Sequence, residues 1–420
     1  MTEPADAGAE PVLRRLARPL ANKRFRWVLI AVALPLPLIQ YFFVTAQLSL
    51  DLVNRRYEDF WVYLRAAAAI ASGADPYAGS SGTSIVHNTG YIYPPLLAWL
   101  AQPFNNFHLG TQALIGWAVL QLCLFGALVI VKQALCARWE MTALVALAAI
   151  TSYWVRRDLF EGQVDLVILL LVAVWFWAWV RGGDWWGGVA LAAAVAMKVV
   201  PVVLLLLPLA RRRWQMLVAA IVAGLALFLT LLPLNVEYAT KVLPYLPGVS
   251  GDPESQSPAS MLLRILEPDA LYGRPDQLGS WFHFFVVVVA LGFAAATAWW
   301  LRSPAVDWPS RAVEGAAGVA LLPLLTPVTW GHHLVIELIP LFVLTWVAIQ
   351  AREPKLGLLA FLAWILANPV HLVFMSVYLN GNKTPVLMNI WVELPVVGIV
   401  MLWWLCLTAL RVAPRVSVSR

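Results

Sequence analysis

Two carboxylates, Glu58 and Asp59, stand side by side just after an apolar run long enough to cross a membrane. A carboxylate at that depth needs water, a partner or a chemical task. Asp59 opens the stretch 59-DFWVYLRAAAAIA-71, in which Phe60, Tyr63, Leu64 and Ala67 recur at helical spacing. At the first turn of that helix it serves either as a cap, where the dipole favours a charged carboxylate, or as a base. Gly73-Ala74-Asp75-Pro76-Tyr77 follows as a helix stop and turn. Lys198 interrupts the otherwise uncharged run 185-WWGGVALAAAVAMKVVPVVLLLLPLA-210. It lies too near the middle of the run to snorkel easily, so it is expected to face a polar cavity, where a phosphate would suit it. Pro201 just beyond it should break the helix and open backbone carbonyls to that cavity. His332 and His333 follow Trp330-Gly331 at a helix boundary. Adjacent helical side chains point about 100° apart, so the pair suits structural hydrogen bonds or an anion better than one shared metal.

The elements that must position these groups follow from composition. Of 420 residues, 61% are hydrophobic and 12% charged, whereas a soluble domain carries about 25% charged residues. So few charges cannot build a solvated surface. The chain therefore reads as an all-α polytopic membrane protein, because helices satisfy their own backbone hydrogen bonds in hydrocarbon. Apolar runs at 27–48, 93–107, 112–132, 141–155, 163–180, 185–210, 214–234, 281–301, 311–329, 332–350, 356–378 and 388–410 suggest about twelve transmembrane helices. Runs 93–107 and 141–155 fall short of the ~20 residues a perpendicular crossing takes, so they are expected to be half-buried or to border water.

Residues 1–26 read as a cytoplasmic tail rather than a cleaved signal, since they are long and polar and lack a small-residue cleavage site. Residues 27–410 form the membrane domain and 411–420 a second cytoplasmic tail. With the N-terminus inside, Arg156-Arg157, Arg211-Arg212-Arg213, the 302–311 loop, Arg352, Lys355 and the C-terminal arginines also fall inside. Lys132, Arg138 and Arg181 fall outside by this count. The pI near 9.3 thus reflects positive loops and membrane lipids, not nucleic acid. Cys123, Cys136 and Cys406 lack any CxxC spacing and read as packing residues.

Two long loops, 49–92 and 235–280, fall outside and hold the polar chemistry. In the first, the helix from Asp59 reads as interfacial, and 91-YIYPPLLAW-99 brings Tyr91, Tyr93 and a double proline to the membrane entry. The second holds 252-DPESQSPAS-260, including Gln256, with Arg264 one or two turns on. Glu161-Gly162-Gln163 follows Arg156-Arg157-Asp158; if it lies near the outer chemistry, the short runs around 141–163 are misplaced.

These stretches, with EGQVDLVILLLVAVW, SQSPASMLLR and LLPLLTPVTWGHH, occur in the order found in glycosyltransferase family 87 of the GT-C superfamily, which the chain resembles from about residue 55 to about residue 335. The resemblance implies a GT-C fold and transfer of a sugar from a polyprenyl-phosphate donor to a lipid-linked or glycan acceptor on the outer face of the cytoplasmic membrane. It implies a catalytic base at Asp59, with Glu58 sharing the proton or raising the Asp59 pKa. Family members often carry Asn where this chain has Asp165, and an Asn-Gln-Ser-like element where it has Ser255.

Displacement at a sugar–phosphate bond requires a base for the acceptor hydroxyl and cations around the leaving phosphate. Lys198, His332, His333, Arg264 and Arg55 are the candidate cations, with Arg56 beside them, and Tyr63, Tyr91, Tyr93, Gln163, Gln256 and Trp330 the candidate cavity lining. With no Asp-x-Asp pair in the external loops, no metal or other cofactor is expected. The resemblance implies mannose as the expected sugar, with arabinofuranose the near alternative. A transporter or flippase of a lipid-linked substrate is the alternative from another class, but it usually shows inverted repeats and acidic residues deep in several helices.

Overall fold

A computed structural model describes residues 34–51, 59–78, 90–246, 248–266, 280–305, 307–368 and 386–412, with isolated residues at 24, 28, 31 and 32. Glu58, Arg55 and Arg56 lie outside the described residues. The described secondary structure is helical, with one isolated antiparallel bridge between Ser255 and Trp330.

In chain order the helices are α1 (Pro35–Asp51), α2 (Asp59–Ala71), α3 (Pro95–Ala101), α4 (Leu109–Leu135), α5 (Trp139–Thr151), α6 (Tyr153–Glu161), α7 (Asp165–Arg181) and α8 (Asp184–Met197). A 3-10 turn at Val200–Leu205 leads to α9 (Leu206–Ala210), α10 (Trp214–Thr230), α11 (Leu232–Lys241), α12 (Pro258–Leu266), α13 (Ser280–Trp300) and α14 (Trp308–Leu325). A second 3-10 turn, Gly331–Glu337, precedes α15 (Leu338–Gln350), α16 (Pro354–Ala367) and α17 (Val386–Ala409).

By length and composition, four helices among the described residues can cross a membrane, or five if the bent pair α10–α11 counts as one, making this a multi-pass membrane protein. The apolar runs are therefore not twelve simple spans. Run 93–107 holds only α3 and a 3-10 turn, started by Pro95 in the first helical position. Run 141–155 splits at Ser152, whose hydroxyl accepts the Val155 N–H and starts α6. Run 185–210 breaks at Lys198, where the backbone turns extended before the proline-bearing 3-10 turn, as Pro201 predicts. Run 214–234 bends by 94° between α10 and α11.

Two of these departures correct the charge count. Because 93–107 is too short to cross and 185–210 has two limbs, Lys132, Arg138 and Arg181 rejoin the other basic residues at one end. Arg181 lies 2.7 Å from Cys136 Sγ and over Trp308, Arg213 donates to the Trp179 carbonyl oxygen at 2.6 Å and pairs with Asp184, and Arg211 reaches Glu314 and the carbonyl oxygen of Ser303. Arg157 goes the other way. It pairs with Glu254 at 2.5 Å, so α6 belongs with the second long loop and not with the basic end.

The α8–α10 contact rests on small residues. A Cβ on Gly188 would run into the Met216 carbonyl oxygen and stand 2.6 Å from Ala219 Cβ. Backbone cannot yield as a side-chain tip can, so Gly188→Ala is expected to cost roughly 1–3 kcal/mol by overpacking. Thermal unfolding in detergent checks this. Gly292→Ala, where no atom lies within 4 Å of the added carbon, should leave Tm unchanged or raised.

Candidate active site

One turn organises the site. Helix α6 ends at Glu161, and Gly162 takes the left-handed region at φ +66°, which glycine adopts without steric cost. The Asp158 backbone oxygen then accepts the Gln163 N–H at 2.8 Å, and its carboxylate accepts the Asp165 N–H at 3.1 Å. Five residues thus send three polar side chains apart: Glu161, Gln163 and Asp165.

Gln163 is 1% exposed and meets residues of the first long loop. Its amide nitrogen donates to Asp59 Oδ2 and to Tyr93 Oη, the latter at 3.3 Å. Its amide oxygen accepts from Tyr63 Oη at 2.5 Å. The Tyr63 and Tyr93 rings pack edge to face, 5.2 Å between centroids. Asp59 is half-buried as the first residue of α2. Tyr91 has a different task from the one its sequence position suggests. Its hydroxyl donates to the Pro94 carbonyl oxygen at 2.7 Å and accepts the Ala98 N–H at 3.2 Å, fastening the start of α3.

Asp165 holds Lys198. The ammonium lies 2.8 Å from both carboxylate oxygens, 7% exposed, and 5.6 Å from the Tyr93 ring centroid. The expected lone cation is therefore paired, and its partner is the residue where the chain departs from the family's usual Asn. Lys198, His333, Thr326 and Thr329 line a cavity of about 20 Å³, room for about one water.

His332 Nδ1 lies 2.7 Å from Glu161 Oε2 and its Nε2 3.9 Å from Asp165 Oδ2. The two histidines are not kept apart by helical geometry: their segment is a 3-10 turn, and the rings meet edge to face at 4.6 Å. Ligand atoms of Asp165, His332 and His333 fall within 4.8 Å of one another. An ion entering there would share Asp165 with the Lys198 ammonium. His333 Nδ1 also accepts the Trp330 N–H at 3.3 Å, which puts the proton of the neutral ring on Nε2 and makes that nitrogen a donor. As built, the cation at this carboxylate is the Lys198 ammonium.

The second long loop is fastened to the same end. Gln256 N–H donates to the Thr329 carbonyl oxygen at 2.5 Å, its side chain donates to the Pro253 carbonyl oxygen at 2.5 Å, and Ser255 bridges Trp330. Gln256 and Trp330 thus close the loop onto residues 327–330 rather than line an open cavity. Arg264 is also structural. Its guanidinium forks onto Glu393 at 2.7 Å through Nε and Nη2, and Nη1 donates to the carbonyl oxygens of Asp252 and Ser255, each at 2.9 Å. Four of its five N–H groups are engaged, so it is not placed as a phosphate ligand.

Arg157 bridges Glu161 at 2.6 Å and Glu254 at 2.5 Å. Burial pushes the Glu254 carboxyl up to about 7 from 4.5, against the pull of Arg157. A raised acid pKa means that, between those values, the folded protein holds a proton the unfolded chain has lost, so this group makes stability fall as pH rises through the window. Glu254→Gln should flatten that slope, read as the Tm difference between pH about 5 and about 8.

Asp165, Glu161, Glu254 and Glu393 are the site residues that sequence reasoning left unassigned. The signal for the first two was the carboxylate pair flanking Gly162-Gln163. Nothing local marks the others.

Beside the Gln163 cluster lies an apolar cavity of about 220 Å³, walled by Phe60, Leu64, Leu97, Trp117 and Met197, with Tyr63 and Gln163 at its polar edge.

Three comparisons bear on this arrangement. The family model for glycosyltransferase family 87 matches residues 91–327. The alpha-(1->3)-arabinofuranosyltransferase of Corynebacterium glutamicum is 25% identical over 295 residues, covering 68% of this chain and 67% of that protein. A crystal structure of ArnT from Cupriavidus metallidurans bound to undecaprenyl phosphate aligns over 89% of this chain and 76% of its own, at 13% identity and a TM-score of 0.40.

Proposed function

This chain belongs to glycosyltransferase family 87, and we propose that it moves a sugar, with inversion, from a polyprenyl-phosphate donor to a lipid-linked or glycan acceptor. The observation that carries this reading is the Asp59 carboxylate held by Gln163, a residue that itself lines the polar edge of an apolar cavity of about 220 Å³. That cavity suits a hydrocarbon chain, and the carboxylate suits an acceptor hydroxyl.

In this reading Asp59 takes the hydroxyl proton as the acceptor oxygen bonds to the anomeric carbon and the carbon–phosphate oxygen bond breaks. The phosphate leaves with the bonding electrons, and no acid is needed because it leaves ionised. Lys198 supplies positive charge as that phosphate develops, with His333 Nε2–H a neutral donor beside it. No metal takes part, so a chelator should leave turnover intact. The basic end lies in the cytoplasm and the Asp59 end on the outer face of the cytoplasmic membrane, in line with the positive-inside rule.

Mannose and arabinofuranose are both fitting sugars; the relative from Corynebacterium glutamicum favours arabinofuranose. Purified protein with radiolabelled polyprenyl-phosphate mannose or polyprenyl-phosphate arabinose tests the reading. Label entering membrane glycolipid from one donor supports it and names the sugar. Failure with both donors, in protein shown to bind neither, would overturn the donor class.

A further inference from the structure

We propose that Gln163 sets the charge state and aim of Asp59, acting as a positioning residue for proton removal; this rests on the reading of Asp59 as the base. The argument starts from what an amide can do. Its nitrogen only donates and its oxygen only accepts. Gln163 Oε1 accepts the Tyr63 hydroxyl, while Nε2 donates to both Tyr93 Oη and Asp59 Oδ2. Flipping the amide would set its oxygen against the Asp59 carboxylate and its nitrogen against the Tyr63 hydroxyl. A tyrosine hydroxyl can donate or accept, so it is the repulsion between the amide oxygen and the ionised Asp59 carboxylate that fixes which end of the amide faces Asp59.

A donor fixed against a carboxylate oxygen favours the ionised form over the protonated one. Asp59 is half-buried beside the Tyr63 and Tyr93 rings, and the Lys198 ammonium, paired with Asp165, lies 5.6 Å from the Tyr93 centroid; burial there favours the protonated acid. Gln163 opposes that tendency and keeps Asp59 able to accept a proton. The backbone gives the amide little freedom, since Gln163 follows the left-handed Gly162 and its own N–H is bonded to Asp158 at 2.8 Å. Its closeness to Asp59 is thus built into the α6–α7 turn.

The test is the pH dependence of kcat/KM for wild type, Gln163→Leu, Gln163→Glu and Asp59→Asn. The acid limb reports the pKa of the base in the free enzyme. In Gln163→Leu it should move to higher pH by about one unit or more, with an alkaline plateau below wild type because the aim of Asp59 is lost as well. In Gln163→Glu it should move further, because two adjacent carboxylates share one proton. This second variant keeps the side-chain size and carries the test if Gln163→Leu does not fold.

An acid limb unmoved in both variants overturns the proposal. So does a raised KM with the limb in place, which would make Gln163 a substrate contact. If Asp59→Asn still transfers sugar, the base reading itself fails; if only the limb fails to move, the base reading stands and this inference alone falls.

Discussion

Asp59→Asn is expected to lower kcat by two to four orders of magnitude while the protein stays folded, the range typical for loss of a general base. The substitution changes little else. Asn keeps the size of the side chain, and its carbonyl oxygen can still accept from Gln163 Nε2, which binds Asp59 Oδ2 in the native chain. The aromatic pair around it, Tyr63 and Tyr93, keeps its bonds to Gln163. What disappears is the lone pair able to hold a proton. Donor affinity should change little, because the donor's phosphate lies with Lys198 in this scheme, so the loss should fall on kcat rather than KM. Single-turnover transfer of labelled sugar measures it. A variant within tenfold of wild type would move the base away from Asp59, and Glu58, its neighbour outside the described residues, would be the first place to look.

Much of this site is legible in the residue types. A helix opening on Asp59, a lysine inside an apolar run, a proline three residues beyond it and a Gly-Gln step mark residues that the structure brings close together. The helical class follows as directly, since 61% hydrophobic residues in long unbroken apolar runs suit helices, whereas the closed barrel that lipid also allows would need short alternating strands. What composition hides is partnership. Lys198 meets Asp165 across 33 residues and Arg264 meets Glu393 across 129, and no local spacing announces either pair. Arg264 has the residue type of a phosphate ligand and the geometry of a clamp.

The topology was obscured for a related reason. Hydropathy counts apolar residues but does not see that the chain turns back at Lys198, and run 93–107, already short for a crossing by its length, still enters a simple count of spans. Those two departures explain why Lys132, Arg138 and Arg181 leave the basic end in a simple count, and why Arg157 joins it there. Helix ends are set by caps and breaks, namely Ser152, Gly162 and Pro201, and each is a single residue within a run that otherwise reads as uniform.

Lys198 allows the structural and chemical parts of a buried ion pair to be separated. Lys198→Met should destabilise the protein by roughly 3–5 kcal/mol, because it leaves Asp165 a buried carboxylate without its cation. Asp165→Asn should be milder in charge balance but should release the ammonium from its 2.8 Å contacts. The combined Lys198→Met, Asp165→Leu variant removes both charges, and replacing a buried pair by apolar groups of similar volume is often neutral for stability. It should therefore unfold near the wild-type temperature, yet transfer sugar roughly 10²–10³ times more slowly if the ammonium stabilises charge on the leaving phosphate. A folded double variant with wild-type turnover would make the pair purely structural and shift the phosphate role to His332 or His333. A folded but inactive one would assign the pair a part in the transfer itself, with Asp165 as the counter-charge of the Lys198 ammonium.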